Sequence, residues 1–189
     1  MRSEWCYYQS HFSPEWCRDI IDRAKQLPVD MPTLGVGDGK HYNDDIRRSQ
    51  IRWIQRKQEW QDLFVTIDKL VAQANIDFFR VEYNYLPIIQ FTEYDYAYQG
   101  TFARHQDCFL TVHSEHQRKL SFSIQLSDPD SYEGGDLEFT DVGIVPKAQN
   151  MRQQGTVIIF PSIIFHQVTP VTKGMRYSLV GWYEGTPWR

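Results

Sequence analysis

In the stretch Arg104-His105-Gln106-Asp107 a histidine and a carboxylate stand two residues apart. On an extended strand that spacing turns both side chains to one face, because successive residues alternate across the pleat. Such a pair needs one more ligand to hold a metal. His166 is a candidate, placed after the apolar run Thr156-Val157-Ile158-Ile159-Phe160 and ahead of Arg176 and Ser178. Two histidines and one carboxylate on one face can bind Fe(II) while leaving adjacent positions open for a chelating ligand and O₂. The tripeptide alone is common and therefore weak. The order of the pieces carries more: the pair, the Gly134-Gly135 turn, a buried strand, a histidine, then an arginine on the last strand.

Holding these groups together takes a rigid frame, and from residue 78 onward the chain reads as strands and turns. Residues 78–83 and 88–96 predict neighbouring strands joined through Asn84-Tyr85-Leu86-Pro87, and Tyr98-Gln99-Gly100 turns into the strand carrying the His-x-Asp pair. Residues 120–126 alternate cleanly, Ser127-Asp128-Pro129-Asp130 closes that strand, and Leu137-Glu138-Phe139 begins the next. Gln154-Gly155 leads into 156–160, and 175–183 is the last strand. Strands separated by turns, with no helices between them, predict an antiparallel barrel or sandwich.

Ahead of them, Ser13-Pro14-Glu15 supplies an N-cap, a first-turn proline and an acidic residue, which predicts a helix to about Gln26, ended by Leu27-Pro28. A second helix is predicted over 59–74, with Trp60, Leu63, Phe64, Ile67, Leu70 and Val71 as its apolar stripe. Between them Ile51 and Trp53 alternate as in a strand. Residues 31–45, with Gly35, Gly37 and Gly39 and few core residues, predict a surface loop. Gly35-Val36-Gly37 lacks the strand and helix that a phosphate-binding loop joins.

At 189 residues the chain suits one domain with a substantial core. A net charge of −4 gives no global electrostatic case for a nucleic-acid or membrane partner. No apolar leader follows Met1 and no run reaches the length of a membrane span, so a cytoplasmic location is expected. Cys6, Cys17 and Cys108 are widely spaced and odd in number, which argues against a disulfide framework or a CxxC zinc site. Aromatic residues make up 15% and crowd between Phe78 and Tyr98, a composition suited to half-buried sheet. His113 and His116 fall in a polar segment that reads as an exposed loop, and His11 and His41 carry no signal.

Six stretches in order then carry a resemblance. They are Gln90-Phe91-Thr92-Glu93-Tyr94; His105-Gln106-Asp107; Tyr132-Glu133-Gly134-Gly135-Asp136-Leu137-Glu138-Phe139; Gly155-Thr156-Val157-Ile158-Ile159-Phe160-Pro161-Ser162; His166-Gln167-Val168-Thr169-Pro170-Val171; and Gly174-Met175-Arg176-Tyr177-Ser178-Leu179-Val180-Gly181-Trp182. Together they resemble the Fe(II)- and 2-oxoglutarate-dependent dioxygenases, in the prolyl 4-hydroxylase-like branch of microbial and phage type. The resemblance implies one domain over 1–189. Residues 78–189 would form a double-stranded β-helix, or jelly roll, and 1–77 a helical and loop region packed on its major sheet. It also implies iron held by His105, Asp107 and His166, and the far carboxylate of 2-oxoglutarate held by Arg176, whose guanidinium can bind it bidentately. Tyr94 and Ser178 are candidate further donors to the cosubstrate, with Tyr96 and Tyr98 on the same face by parity. Lysine stands at the Arg176 position in animal-type prolyl hydroxylases, which weakens the transfer of their substrates to this chain. An aspartate at Asp107 excludes the halogenating branch.

The implied reaction hydroxylates an unactivated C–H bond with O₂ and 2-oxoglutarate, giving succinate and CO₂, with ascorbate in a supporting role. A prolyl residue in a peptide or protein is the first expected substrate, and a free amino acid or other small molecule the second. Residues 31–45, Arg47-Arg48, Arg104 and residues 108–118 are the candidate substrate contacts. Two rivals use the same residues. A cupin-like metal-binding module would have no need of Arg176 inside the barrel, and a zinc hydrolase would lack a well-placed general base.

Overall fold

The computed structural model describes residues 3–30, 43–108, 110 and 114–188. Most of the expected loop at 31–45 lies outside them, as do His41 and His113.

The first helix, α1, runs over Pro14–Ala24 and starts as its sequence dictates: Ser13 Oγ accepts from the Trp16 N–H at 3.2 Å, and Cys17, Ile20 and Ala24 are buried. A short turn over Gln58–Trp60 leads into α2, Gln61–Ala74, which buries Leu63, Phe64, Ile67, Val71 and Ala74 at helical spacing. The strand expected at 78–83 does not form. Instead α2 widens into a further helical turn over Asn75–Phe79, stopped by Arg80 at φ 56°. The Asn75 side chain both donates to Val81 O and accepts from Val81 N at 2.9 Å, so local bonds satisfy backbone that a sheet partner would otherwise take. Phe79, fully buried, stays in the core of α2.

Two antiparallel sheets make the frame. The larger has seven strands: β1 (Cys6–Tyr8), β3 (Gln50–Gln55), β4 (Ile88–Asp95), β6 (Gln117–Gln125), β7 (Tyr132–Gly134), β9 (Val157–Pro161) and β11 (Val171–Gly185). Its order is β1-β9-β6-β11-β4-β3, with β7 also paired to β11. The smaller holds β2 (Arg47–Arg48), β5 (Thr101–His105), β8 (Leu137–Phe139) and β10 (His166–Val168) in the order β2-β5-β10-β8. This is the jelly roll expected from the sequence.

Period-two alternation divides the large sheet into two chemistries. On β9, Val157 and Ile159 join the core beneath the helices, while Ile158 and Phe160 join the core between the sheets. Beneath the helices, Ile20, Leu63, Phe64 and Ile67 share one cluster with Ile89, Phe91, Phe122, Ile124 and Leu179. Between the sheets, Tyr94, Ile158, Phe160 and Val171 of the large sheet meet Leu137, Phe139 and Val168 of the small one. The helices thus cover one face of the large sheet and leave the other to line a cavity.

Phe64 is fully buried at the helix–sheet contact. Phe64→Ala is expected to cost about 3–5 kcal/mol, read as a lowered urea midpoint at unchanged m-value. A loss well under 1 kcal/mol would contradict a helical layer that supports the sheet.

Candidate active site

The site is assembled by register. β5 ends at His105 and β10 begins at His166, and the two residues face each other across the antiparallel pair. Their rings lie 4.2 Å apart between centroids. Each imidazole is held in the same way: His105 Nδ1 lies 2.8 Å from Ala103 O and His166 Nδ1 3.0 Å from Ile164 O. A carbonyl can only accept, so each Nδ1 carries the hydrogen and each Nε2 keeps a lone pair for a metal.

Asp107 completes the cluster from a different position than expected, because the strand stops at His105 and does not carry both residues. Instead the N–H groups of Asp107 and Cys108 donate to Ser162 O at 2.9 and 3.0 Å, which bends the chain and brings the carboxylate under the histidines. Asp107 Oδ1 lies 3.7 Å from His105 Nε2, and Oδ2 lies 3.6 Å from His166 Nε2. One ligand atom from each residue falls within 4.8 Å of the others.

Burial, and then the neighbouring His166, push the pKa of His105 from 6.5 down to about 3. Burial acts to raise Asp107, but His166, His105, Arg118 and the Ser121 hydrogen bond together hold it below the usual carboxylate range. At neutral pH this leaves a neutral His105 imidazole beside an ionised carboxylate, the forms a divalent cation requires. Apolar rings enclose the histidines, with Phe102 stacked on His105 at 3.6 Å and Phe160 edge-on to His166 at 4.7 Å.

Across the cavity stands Arg176, 2% exposed. Its Nε and Nη2 donate to Gln125 Oε1 at 3.1 and 2.8 Å, and Nη1 reaches Ser178 Oγ at 3.5 Å. These partners are all neutral, and Arg176 has no counter-charge within ion-pair distance among the described residues. A buried guanidinium so placed is costly, so this wall is prepared for an anion. Gln125, Ser121 and Ser162 were not expected here from the sequence. The signal for the first two lay in β6, where Ser121, Ser123 and Gln125 alternate with the core residues Leu120, Phe122 and Ile124, whereas Ser162 sits in the turn after β9 with no such pattern.

Of the three tyrosines sharing a parity, only Tyr94 lines the cavity. β4 ends at Asp95 and the chain coils through Tyr96–Tyr98, so parity is lost: Tyr96 is exposed and Tyr98 donates to Glu93 O. The Arg47-Arg48 pair also splits. Arg47 is buried in the cavity, its Nε 2.9 Å from Ser49 Oγ and its guanidinium over Phe102, whereas Arg48 turns away to donate to Tyr98 O and Gln99 O. Arg104 is exposed, bonded to Thr140 and Asp141 and lying over Phe165. Arg118 belongs to β6 and not to the preceding loop, and its guanidinium lies 3.8 Å from the Trp182 ring centre. His116 is exposed beside Tyr85, and residues 109 and 111–113 lie outside the described residues. The cavity is partly open to solvent, and the space within it and at its mouth together comes to about 460 Å³.

Comparison with known proteins agrees with this geometry. The pattern of the 2OG-Fe(II) oxygenase superfamily matches residues 89–184, just over half of the sequence. The chain belongs to that superfamily. Membership assigns it Fe(II) and 2-oxoglutarate as cofactors, and the donor set fits: two imidazoles with free Nε2 atoms and one carboxylate, with a buried cation across the cavity. Among relatives, a PKHD-type hydroxylase of Hyphomonas neptunium is 44% identical over 66 residues, covering 34% of this chain and 28% of that protein. The matched stretch is therefore less than a third of that relative's length. Among solved structures, the viral collagen prolyl hydroxylase of Paramecium Bursaria Chlorella virus-1, in its 2OG complex, aligns with a TM-score of 0.70 at 17% identity, covering 97% of each chain. A Trichoplax adhaerens prolyl hydroxylase, in complex with a hypoxia inducible factor oxygen degradation domain peptide fragment, aligns at 0.74 and 16% identity, covering 95% of this chain and 83% of that one. Both likenesses are of fold. No helix among the described residues is long and apolar enough to cross a membrane.

The depressed pKa of His105 has a stability consequence with a definite sign. Between 6.5 and about 3 the unfolded chain takes up this proton and the folded chain does not. The metal-free protein should therefore lose stability as pH falls through that window, by at most about 1.4 kcal/mol per pH unit for the one group. The lowered Asp107 adds a loss of the same sign at more acid pH. Thermal melts of chelator-treated protein from pH 7 to 4.5 should show the decline, and His105→Asn should flatten it. A wild-type melting temperature constant over that range would contradict the assignment.

Proposed function

We propose that the chain, read over 1–189 as one catalytic domain, is an Fe(II)- and 2-oxoglutarate-dependent hydroxylase of a prolyl residue in a peptide or protein. The observation that carries the reading is Arg176, a buried cation whose hydrogen-bond partners among the described residues are all neutral, on the wall opposite the His105, Asp107 and His166 cluster. In this reading those three residues hold the iron, and Arg176 receives the far carboxylate of the cosubstrate. Tyr94 and Ser178 flank it: the Tyr94 ring lies 5.2 Å from the guanidinium and Ser178 shares its strand face. Iron and 2-oxoglutarate together supply the activation of O₂ that places a hydroxyl on an unactivated C–H bond, with succinate and CO₂ as the other products.

The residues of the chain orient and exclude. The Nδ1 bonds of His105 and His166 keep their Nε2 atoms unprotonated and aimed at one point. Arg176, fixed by Gln125, sets how deep a dicarboxylate can sit. Phe102, Leu137, Phe160, Val168 and Trp182 line the same cavity with apolar surface, beside the polar Gln90, Ser123 and Arg47, and limit water around the reacting centre. A peptide is supported by the opening of the cavity to solvent and by the likeness of fold to a viral collagen prolyl hydroxylase and to a prolyl hydroxylase in complex with a hypoxia inducible factor peptide fragment. A small carboxylate-bearing molecule is the second reading. It is favoured by Arg47, buried in the same cavity with no carboxylate within ion-pair distance among the described residues.

The test is anaerobic titration of 2-oxoglutarate into the Fe(II)-loaded protein, followed by the visible charge-transfer band of the chelate. Wild type should give the band and His166→Ala should not. Arg176→Ala should need about 10- to 100-fold more cosubstrate, the loss of one charge-assisted hydrogen-bonded contact. Iron binding without a band in wild type would reject the reading. For the substrate, prolyl peptides and free L-proline are compared by succinate release and by the mass gain of one oxygen. Turnover of free proline alone would replace the peptide with the small molecule.

A further inference from the structure

Of the three residues in the metal-facing cluster, Asp107 alone lies off a strand, so the pleat does not aim its side chain. Something else must do so. Ser121 Oγ donates to Asp107 Oδ2 at 2.7 Å and lies 2.9 Å from Ser162 Oγ. An ionised carboxylate only accepts, so the single Ser121 proton is committed to Asp107, and in the serine pair Ser162 must be the donor. The direction is fixed along the row: Ser162 to Ser121 to Asp107. Both serines are buried, at 1% and 0% exposure.

Ser162 does more than end this row. Its carbonyl accepts the Asp107 and Cys108 N–H groups, and its own N–H donates to Lys119 O on β6 at 3.0 Å. It stands in the turn between β9 and β10, four residues ahead of His166. One residue therefore ties together the strand bearing Ser121, the loop bearing Asp107 and the turn leading to His166. Buried hydroxyls cost stability unless satisfied, and a connected row such as this one rigidifies what it touches.

From this geometry we infer that Ser121 and Ser162 are positioning residues that set how Asp107 presents itself to the metal. The inference rests on the oxygenase reading above. With one acceptor direction of Oδ2 taken by Ser121, the carboxylate is held from swinging both oxygens onto the ion. It offers one oxygen, and the remaining positions stay free for a chelating ligand and O₂.

Cobalt(II) titration tests this without turnover, since the visible bands of Co(II) report both affinity and coordination number. Ser121→Ala should bind Co(II) about 10- to 100-fold more weakly with altered band intensity, at a lowered melting temperature but with a native circular-dichroism spectrum. Ser121→Thr, which keeps the hydroxyl, should restore affinity and spectrum, and Ser162→Ala should fall between. Wild-type affinity and spectrum in Ser121→Ala would overturn the positioning role. Should that variant fail to fold, the same result in Ser162→Ala would overturn it. Wild type that binds Co(II), yet with Fe(II) gives no 2-oxoglutarate band, would reject the oxygenase reading instead. The variants' relative Co(II) affinities would still judge the serine pair.

Discussion

The site depends first on one pairing: His166 directly opposite His105 between β10 and β5. The two residues are far apart in the chain, and neither alone suggests a metal. The three-residue strand β10 is held on both sides, with His166 also facing Phe139 of β8. A slip of one residue would turn His166 out of the cavity and Gln167 into it. With a partner on each edge, such a slip would break two ladders at once. Short as β10 is, its register is therefore well specified, and the irregularity after His166 on the β5 side leaves the histidine pair itself in place.

That pairing needs a platform to face, which the large sheet provides by keeping its two faces chemically distinct. The helix-side face carries Ile89, Phe91, Ile124 and Leu179. The cavity-side face carries a polar row, Gln90, Thr92, Ser121, Ser123, Gln125, Arg176 and Ser178, all buried. Polar groups at that depth are tolerated because they satisfy one another: Gln90 donates to Thr92 at 2.6 Å, and Gln125 donates to Ser123 while accepting from Arg176. The helices matter to the site because their burial gives the sheet its stability and leaves the other face free to be polar.

How much of this was legible in the sequence follows from where local rules hold. His105, Asp107, His166 and Arg176 could be singled out because residue type and order are enough to nominate them. The N-cap at Ser13 and the stripe of α2 were legible for the same reason, being local. Asp107 was placed on the wrong element because strand parity was extended past a strand end that only the Ser162 carbonyl reveals. Tyr96 and Tyr98 failed likewise, one turn beyond the end of β4. The expected strand at 78–83 was lost to Asn75, whose side chain bonds Val81 across a helical turn in a way no alternation pattern reports. Gln125 and Ser121 went unseen because polar alternation in an antiparallel strand ordinarily marks a face turned to water. Here that face lines a cavity, and only the second sheet makes it one.

Charge explains why the two walls belong together. Arg176 is buried among neutral partners, and Asp107, on the opposite wall, has its nearest counter-charges in groups that are themselves partly desolvated. The Arg176 wall carries an uncompensated cost, which stability by itself would not select. In the proposed function a dicarboxylate spanning the cavity offsets that cost, one end reaching Arg176 and the other the metal held by the triad, whose own charge answers Asp107. The bound partners then stabilise each other's sites, and by reciprocity metal strengthens cosubstrate binding as much as cosubstrate strengthens metal binding. Gln125 and Ser121 stand at the two ends of this arrangement, on the same face of β6 and four residues apart, so one strand aligns both the anion-binding and the cation-binding end. A shift of β6 along its neighbours would disturb both ends together, and that strand is paired on either side, to β9 and to β11.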